Sequence, residues 1–325
     1  MDRRSFLLAG ASAIVAAPAF AQSANDWPSR PIRIVVPFAA GGPTDFIARL
    51  LATPLSAALG QSVVIENRPG ASGNIGSQAV ADAAPDGYTL VHNTVGMHGI
   101  IPLMYPSLRL QPLRDLVPIA TTGAMANVLV THPSKLQVGS VRELVEKGRS
   151  RPGALTFATF GNGTSPHVYA MLLQKLGGFT GLAIPYRGSA PAMTAALAGE
   201  VDFLFDNIST CAGQIKAGTL KGLGITSTVR SSLLPNLPTM KEAGFPGFDL
   251  NFWFSLEAPA KTPAPIVEKL QMAMAKVLAD KSYIEGLQAR GAEPFATKPS
   301  ELISFVASET ERWQKTATNI GIKAD

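Results

Sequence analysis

Short β-branched runs alternate along the chain with stretches in which apolar residues return every three or four positions. Ile32-Arg33-Ile34-Val35-Val36 ends at Pro37, and Phe46, Ile47, Leu50, Leu51, Leu55, Ala58 and Leu59 then recur at helical spacing up to Gly60. This predicts a strand, a glycine-rich turn and a helix. Val63-Val64-Ile65 predicts the next strand, Asn67-Arg68-Pro69-Gly70 a loop, and Ile75 to Ala83 a helix of small residues. Asp86-Gly87 then turns the chain into a strand at Tyr88-Thr89-Leu90-Val91. The rhythm resumes with helices at Val141 to Lys147, His167 to Leu176 and Ala190 to Ala198. Strands fall between and after them at Leu155 to Thr159, Leu182 to Tyr186 and Val201 to Phe205.

Such alternation predicts an α/β fold with βαβ units and two mixed, mostly parallel sheets flanked by helices. Val117 to His132 and Phe252 to Pro259 read as extended connections, and the chain ends in helices containing Leu270 to Leu278 and Leu302 to Trp313. If those helices return to the first lobe, the chain crosses between lobes twice. The expected organisation is one lobe of residues 22–122 plus 252–325, a second of 123–251, a two-strand hinge and a cleft.

Composition narrows the function. Hydrophobic residues make up 46% and charged ones 16%, which excludes a disordered chain, and 30 Gly with 25 Pro suit many short turns better than a helical bundle. Lys and Arg outnumber Asp and Glu by 28 to 23 but are scattered, so no nucleic-acid surface is expected. Cys211 is the single cysteine, and His92, His98, His132 and His167 lack H-E-x-x-H spacing. No metal and no cofactor are expected. At the N-terminus, Arg3-Arg4 precedes an apolar run to about Ala17, and Ala19-Phe20-Ala21 supplies a cleavage site. Residues 1–21 therefore read as a signal peptide, of the twin-arginine or the general secretory type, and the compartment as a bacterial periplasm.

Two turns carry the candidate chemistry. Phe38, Ala39, Ala40, Gly41, Gly42, Thr44 and Asp45 lie between a strand and the first turn of a helix, where unpaired backbone N–H groups and the helix dipole favour an anion. An ordinary βα turn capped by Thr44 or Asp45 is the alternative. Thr159, Gly161, Gly163, Thr164 and His167 repeat the design in the other lobe, so a small carboxylate held between two facing turns becomes the leading reading. Neither turn matches a nucleotide motif, and Gly70, Gly73 and Gly76 suit helix packing better than phosphate binding. His167 reads either as a donor to the solute or as a packing residue.

An enzyme is disfavoured, since Ser165 and His167 diverge at a helix start and no G-x-S-x-G elbow occurs. Arg187 and Gly188 follow a strand, and Arg187 reads either as a cleft cation or as a solvated surface residue. Asp206-Asn207 reads either as a ligand contact or as a turn. Trp27, Trp253 and Trp313 are dispersed, which points to packing.

These segments, with Pro85-Asp86-Gly87-Tyr88-Thr89-Leu90, Arg114-Asp115-Leu116-Val117-Pro118-Ile119-Ala120, Tyr186-Arg187-Gly188 and Leu237-Pro238-Thr239-Met240, resemble the substrate-binding proteins of tripartite tricarboxylate transporters, the Bug or TctC family. The resemblance covers essentially the whole chain after residue 21. It implies a monomeric, type II-like periplasmic binding protein that captures a small carboxylate between two lobes. It further implies delivery to an inner-membrane permease with one large and one small subunit. A co-receptor feeding a sensor kinase is the alternative. It implies main-chain amides and waters from Phe38 to Asp45 and from Thr159 to Thr164, with His167, as the carboxylate's partners. Asn93, Thr94, Arg187, Gly188 and Asp206 are implied to line the cleft. Two positions depart from the pattern: Ala195, expected to alter a helix surface, and Lys261, expected at the hinge exit.

Overall fold

The computed structural model describes residues 26–105, 107–248, 250 and 252–322, and the signal peptide read over residues 1–21 lies outside the described residues. β1 (Ile32–Val36), β2 (Val63–Asn67) and β3 (Thr89–Thr94) are parallel, with β1 in the middle and Ile34 level with Ile65 and Leu90. α1 (Pro43–Leu59) and α2 (Asn74–Ala81) make the crossovers. Pro43 opens α1 without wasting a backbone donor, and Gly60 closes it in the left-handed conformation, donating to Ser56 O. Gly76 sets α2 against the end of β1, since a β-carbon there would lie 2.9 Å from Pro37.

Three short helices, α3 (Val95–Gly99), α4 (Ile101–Met104) and α5 (Pro112–Asp115), lead into β4 (Leu116–Met125). After Ala126 the chain enters a second sheet at β5 (Asn127–Thr131). There α6 (Val141–Ser150), β6 (Leu155–Thr159), α7 (Ser165–Gly177), β7 (Gly181–Pro185), α8 (Ser189–Leu197), β8 (Phe203–Asn207), α9 (Ile208–Lys216) and β9 (Lys221–Ile225) follow. The chain returns through Phe252 into β10 (Trp253–Pro259) and ends in α10 (Ala264–Ala279), α11 (Lys281–Gln288), β11 (Ala292–Glu293) and α12 (Pro299–Asn319).

The first sheet has the order β11-β4-β10-β3-β1-β2 and the second β7-β6-β8-β5-β9. β10 and β5, the strands that receive the chain after each crossing, run antiparallel to both their neighbours. Met125 N donates to Phe252 O at 2.9 Å, so the two crossings are bonded side by side. α10 packs on α1, and α12 on α3 and β4, returning the C-terminal helices to the first sheet.

All three tryptophans are buried, and Trp313 stacks edge-on against Phe252 and Tyr169 beside the crossings. Two expectations need correction. Ala195 is buried, not on a helix surface, because it lies on the inner face of α8. Lys261 follows the end of β10 that is remote from Phe252, so it is not at the crossing.

Candidate functional site

The β1-to-α1 and β6-to-α7 turns face each other at the carboxyl ends of parallel strands, where open α/β sheets bind their ligands. In the first turn Asp45 is the brace: its carboxylate accepts from Gly41 N at 3.0 Å, Asn67 Nδ2 at 2.9 Å and Arg49 Nε at 2.9 Å. Burial alone would raise its pKa, but Arg49, Gly41 and Asn67 outweigh it and hold the carboxyl below its ordinary range. In the second turn the brace is His167, whose Nδ1 accepts from Gly163 N at 3.0 Å, while Gly161 N donates to Thr159 Oγ1. The amides of Gly41, Gly161 and Gly163 are thus engaged within the protein. The first-turn N–H groups of Thr44 and Asp45 in α1 and of Ser165 in α7 have no carbonyl partner within their own helix.

The turns enclose a cavity of about 20 Å³, lined by Phe38, Gly42 and Thr44 from one side and Gly163, Thr164 and Ser165 from the other. Thr94, Met97, Phe160, Ser189 and Phe252 complete its wall. The lobes are packed closely around it, so a solute enters only when they part. Ser165 Oγ is the decisive atom: the residue is 1% exposed, lines the cavity and has no hydrogen-bond partner. An unpaired buried hydroxyl costs stability unless something binds it.

Around the cavity the lobes touch through glycine. Gly188, at φ +136°, brings its backbone beside Ala39, and Ala39 N donates to Arg187 O at 3.4 Å. Gly161, at φ +114°, meets Ser72 so closely that a β-carbon would stand 2.4 Å from the Ser72 hydroxyl.

The remaining expected residues fall into distinct places. Arg187 is exposed and lines a neighbouring 240 Å³ cleft with Gly161, Tyr105 and Asn162. Ala40 is exposed at the tip of its turn, outside the cavity wall. Asp206 lies behind the wall, accepting from Ser189 Oγ at 2.8 Å and from Asn207 N at 2.7 Å. Burial pushes its pKa up to about 7 despite those two donors. Asn93 belongs to a buried network, donating to Glu257 Oε2 at 3.1 Å and accepting from Ser77 at 2.9 Å.

In that network His98 Nε2 meets Glu257 Oε1 at 2.6 Å. Burial would raise the Glu257 carboxyl, yet His98, Ser255 and Asn93 together hold it below its ordinary range. The pair ties α3, which supplies Met97 to the cavity, to β10 from the crossing. Sequence reasoning missed Ser72, Met97, Ser165, Ser189 and Phe252 as wall residues, Ser165 having been weighed only as a nucleophile. Ser189 had a legible signal, since it opens a helix directly after a strand and Gly188, as Ser165 does after Gly163-Thr164.

Two lobes bonded at paired crossings, with facing helix N-termini around an inter-lobe cavity, define a hinged solute-binding protein. The family model described as the tripartite tricarboxylate transporter family receptor matches residues 47–322, and the chain belongs to that family. BugT of Bordetella pertussis is 38% identical over 314 residues, covering 96% of this chain and 95% of that protein. The structure of Rpa4515 from R. palustris with adipate superposes with a TM-score of 0.88 at 37% identity, covering 92% of this chain and all of that one. MatC from Rhodopseudomonas palustris with bound malate gives 0.83 at 33% identity, covering 89% of this chain and 99% of that one.

Proposed function

We propose that this protein is a periplasmic receptor that captures a small carboxylate between the β1–α1 and β6–α7 turns. The observation that carries the reading is Ser165 Oγ, buried and unpaired in a cavity walled by both turns. A carboxylate there accepts from Ser165 and from first-turn N–H groups of two helices, whose dipoles add to its stabilisation. Relatives of known structure that hold adipate and malate support a carboxylate as the cargo.

The lobes, expected at 22–122 with 252–325 and at 123–251 although the first sheet keeps β4 as far as Met125, hinge where Met125 and Phe252 are bonded, and the solute favours closure because only the closed form offers both turns. The protein works as a monomer and performs no chemistry on its cargo. Family membership supports service to a tripartite transporter, and the partner we propose is an inner-membrane permease of one large and one small subunit. The leader over residues 1–21 directs export.

Thermal unfolding of ligand-stripped protein against malate, adipate, other carboxylates and neutral amides tests the reading. Saturation at a hundred times Kd adds about 2.7 kcal/mol, a rise of at least a few degrees. A rise with carboxylates only, lost in Gly42→Val, is expected. Equal rises with the neutral amides would refute it.

A further inference from the structure

The wall of the cavity between the turns includes a serine with a carboxylate directly behind it. Ser189, buried and the first residue of α8, lines that cavity. Its hydroxyl lies 2.8 Å from Asp206 Oδ2 and 3.0 Å from Asp206 Oδ1. Asp206 has no exposure, and its Oδ1 also accepts from Asn207 N at 2.7 Å. Both donors are neutral. Among the described residues no Lys, Arg or His pairs with Asp206, whereas buried Asp45 has Arg49 and buried Glu257 has His98.

A hydroxyl carries one hydrogen. While Asp206 is ionised, Ser189 gives that hydrogen to Asp206 and shows the cavity only lone pairs, which repel a solute carboxylate. Two negative charges then stand on either side of one serine in a place shielded from water, where each raises the other's affinity for a proton. A proton on Asp206 Oδ2 reverses both effects. Oδ1 keeps its bond from Asn207 N, Oδ2–H donates to Ser189 Oγ, and the Ser189 hydrogen turns to the solute. Burial already holds the Asp206 carboxyl up at about 7, so the proton is available near neutral pH. We infer that Asp206 is a positioning residue that takes up a proton from solvent when a carboxylate binds, so that Ser189 donates to the solute. This inference rests on the reading of the two turns as the carboxylate site.

The other titratable groups around Asp206 are differently engaged. β5, β6 and α8 contain none. On α9 burial, and then the charge of Asp206, push the Cys211 thiol well above its ordinary value. On α7, which packs on β8, His167 Nδ1 accepts from Gly163 N and the Tyr169 hydroxyl donates to Leu250 O. Lys175 of α7 and Lys216 of α9 are exposed. Across the cavity Asp45 is held in its ionised form by Arg49, Gly41 and Asn67.

Malate and adipate are titrated calorimetrically into ligand-stripped protein in buffers of different ionisation enthalpy, which counts the protons bound with the solute. At about pH 8 close to one proton per solute is expected, falling toward none at about pH 6, where Asp206 already holds it, and affinity falls by up to about tenfold per unit above about pH 7. Asp206→Asn keeps the shape and donates to Ser189 as the acid does, so it takes up no proton and its affinity stays level above neutral pH. Infrared difference spectra of the wild type locate the proton without a variant: solute addition at the higher pH brings up a protonated-carboxyl band that isotopic labelling of the solute leaves unshifted. The inference is overturned by uptake that persists in Asp206→Asn or by a carboxyl band that moves with the label. Binding without proton uptake at the higher pH overturns it too, and leaves the carboxylate reading standing. If neither acid binds, that reading fails and this inference with it.

Discussion

The main-chain amide of Ala39 donates to the carbonyl of Arg187 across the cleft, 3.4 Å away. Backbones of opposite lobes approach this closely because Gly188, next to Arg187, carries no β-carbon. A β-carbon there would lie 3.2 Å from Ala39 N, on a residue whose φ is +136°. The closed form is therefore held partly by main chain against main chain, on the rim of the proposed site.

That contact predicts how closure fails. Gly161→Val places a β-carbon against Ser72 and forces φ +114° on a branched residue, so the lobes are held apart. Solute affinity is expected to fall at least tenfold, and small-angle scattering should show no compaction when malate is added. Compaction equal to that of the wild type would contradict the role given to this glycine.

Ser165→Ala removes the unpaired hydroxyl. Stability should stay within about 0.5 kcal/mol or rise, because no partner is abandoned, whereas carboxylate affinity should fall by the worth of a hydrogen bond to a charged group, about 1.5–3 kcal/mol. Urea unfolding and calorimetric titration measure the two quantities. A large loss of stability with unchanged affinity would mean that Ser165 serves the fold.

Asp206 and His92 impose opposite pH dependences. Asp206 is raised from its ordinary value of 3.8 to about 7, so between about pH 4 and 7 the folded state keeps a proton that the unfolded chain has lost. Stability then falls as pH rises, by at most about 1.4 kcal/mol per unit. Burial pushes His92 down from 6.5 to about 4, so between those values the unfolded chain holds the extra proton and stability rises with pH at the same limiting slope. The two contributions cancel from about pH 4 to 6.5. In Asp206→Asn the rising limb is unmasked, and urea midpoints at pH 5 and 6.5 should diverge from wild type in that direction. Parallel profiles would show that Asp206 is ionised in the folded protein.

Glu257→Gln leaves His98 without its buried partner. A loss of about 3 kcal/mol in urea unfolding is expected, larger than for any exposed ion pair such as Arg30 with Asp86. A loss below about 1 kcal/mol would mean that Asn93 and Ser255 already stabilise the neutral form.

Much of the fold was legible because its strands are β-branched and bounded by Gly or Pro. Ile32–Val36 and Leu155–Thr159 were read to the residue. β9 was not, since Lys221-Gly222-Leu223-Gly224-Ile225 alternates Leu and Ile with glycines that packing demands: β-carbons at Gly222 and Gly224 would lie 3.0 Å from Ile215 and 2.8 Å from Met240. α9 was hidden because it starts directly after β8 with no breaker between them. At the site, the two turns were readable as glycine-rich strand-to-helix junctions. Ser72, Met97 and Phe252 were not, because each reaches the cavity only through the fold, and no local pattern distinguishes them from loop, helix or crossing residues.

The central claim, that a carboxylate bridges the two turns, is tested most directly by titrating ligand-stripped wild-type and Gly42→Val protein with malate and adipate in a calorimeter. A valine at Gly42 would press on Ser189 across the cleft, since a β-carbon there already lies 3.4 Å from Ser189 Cβ, while a φ of −84° leaves the fold unstrained. The account predicts saturable 1:1 binding of at least one of these acids by the wild type and none by the variant, at equal thermal stability. Equal affinity in both proteins would contradict it.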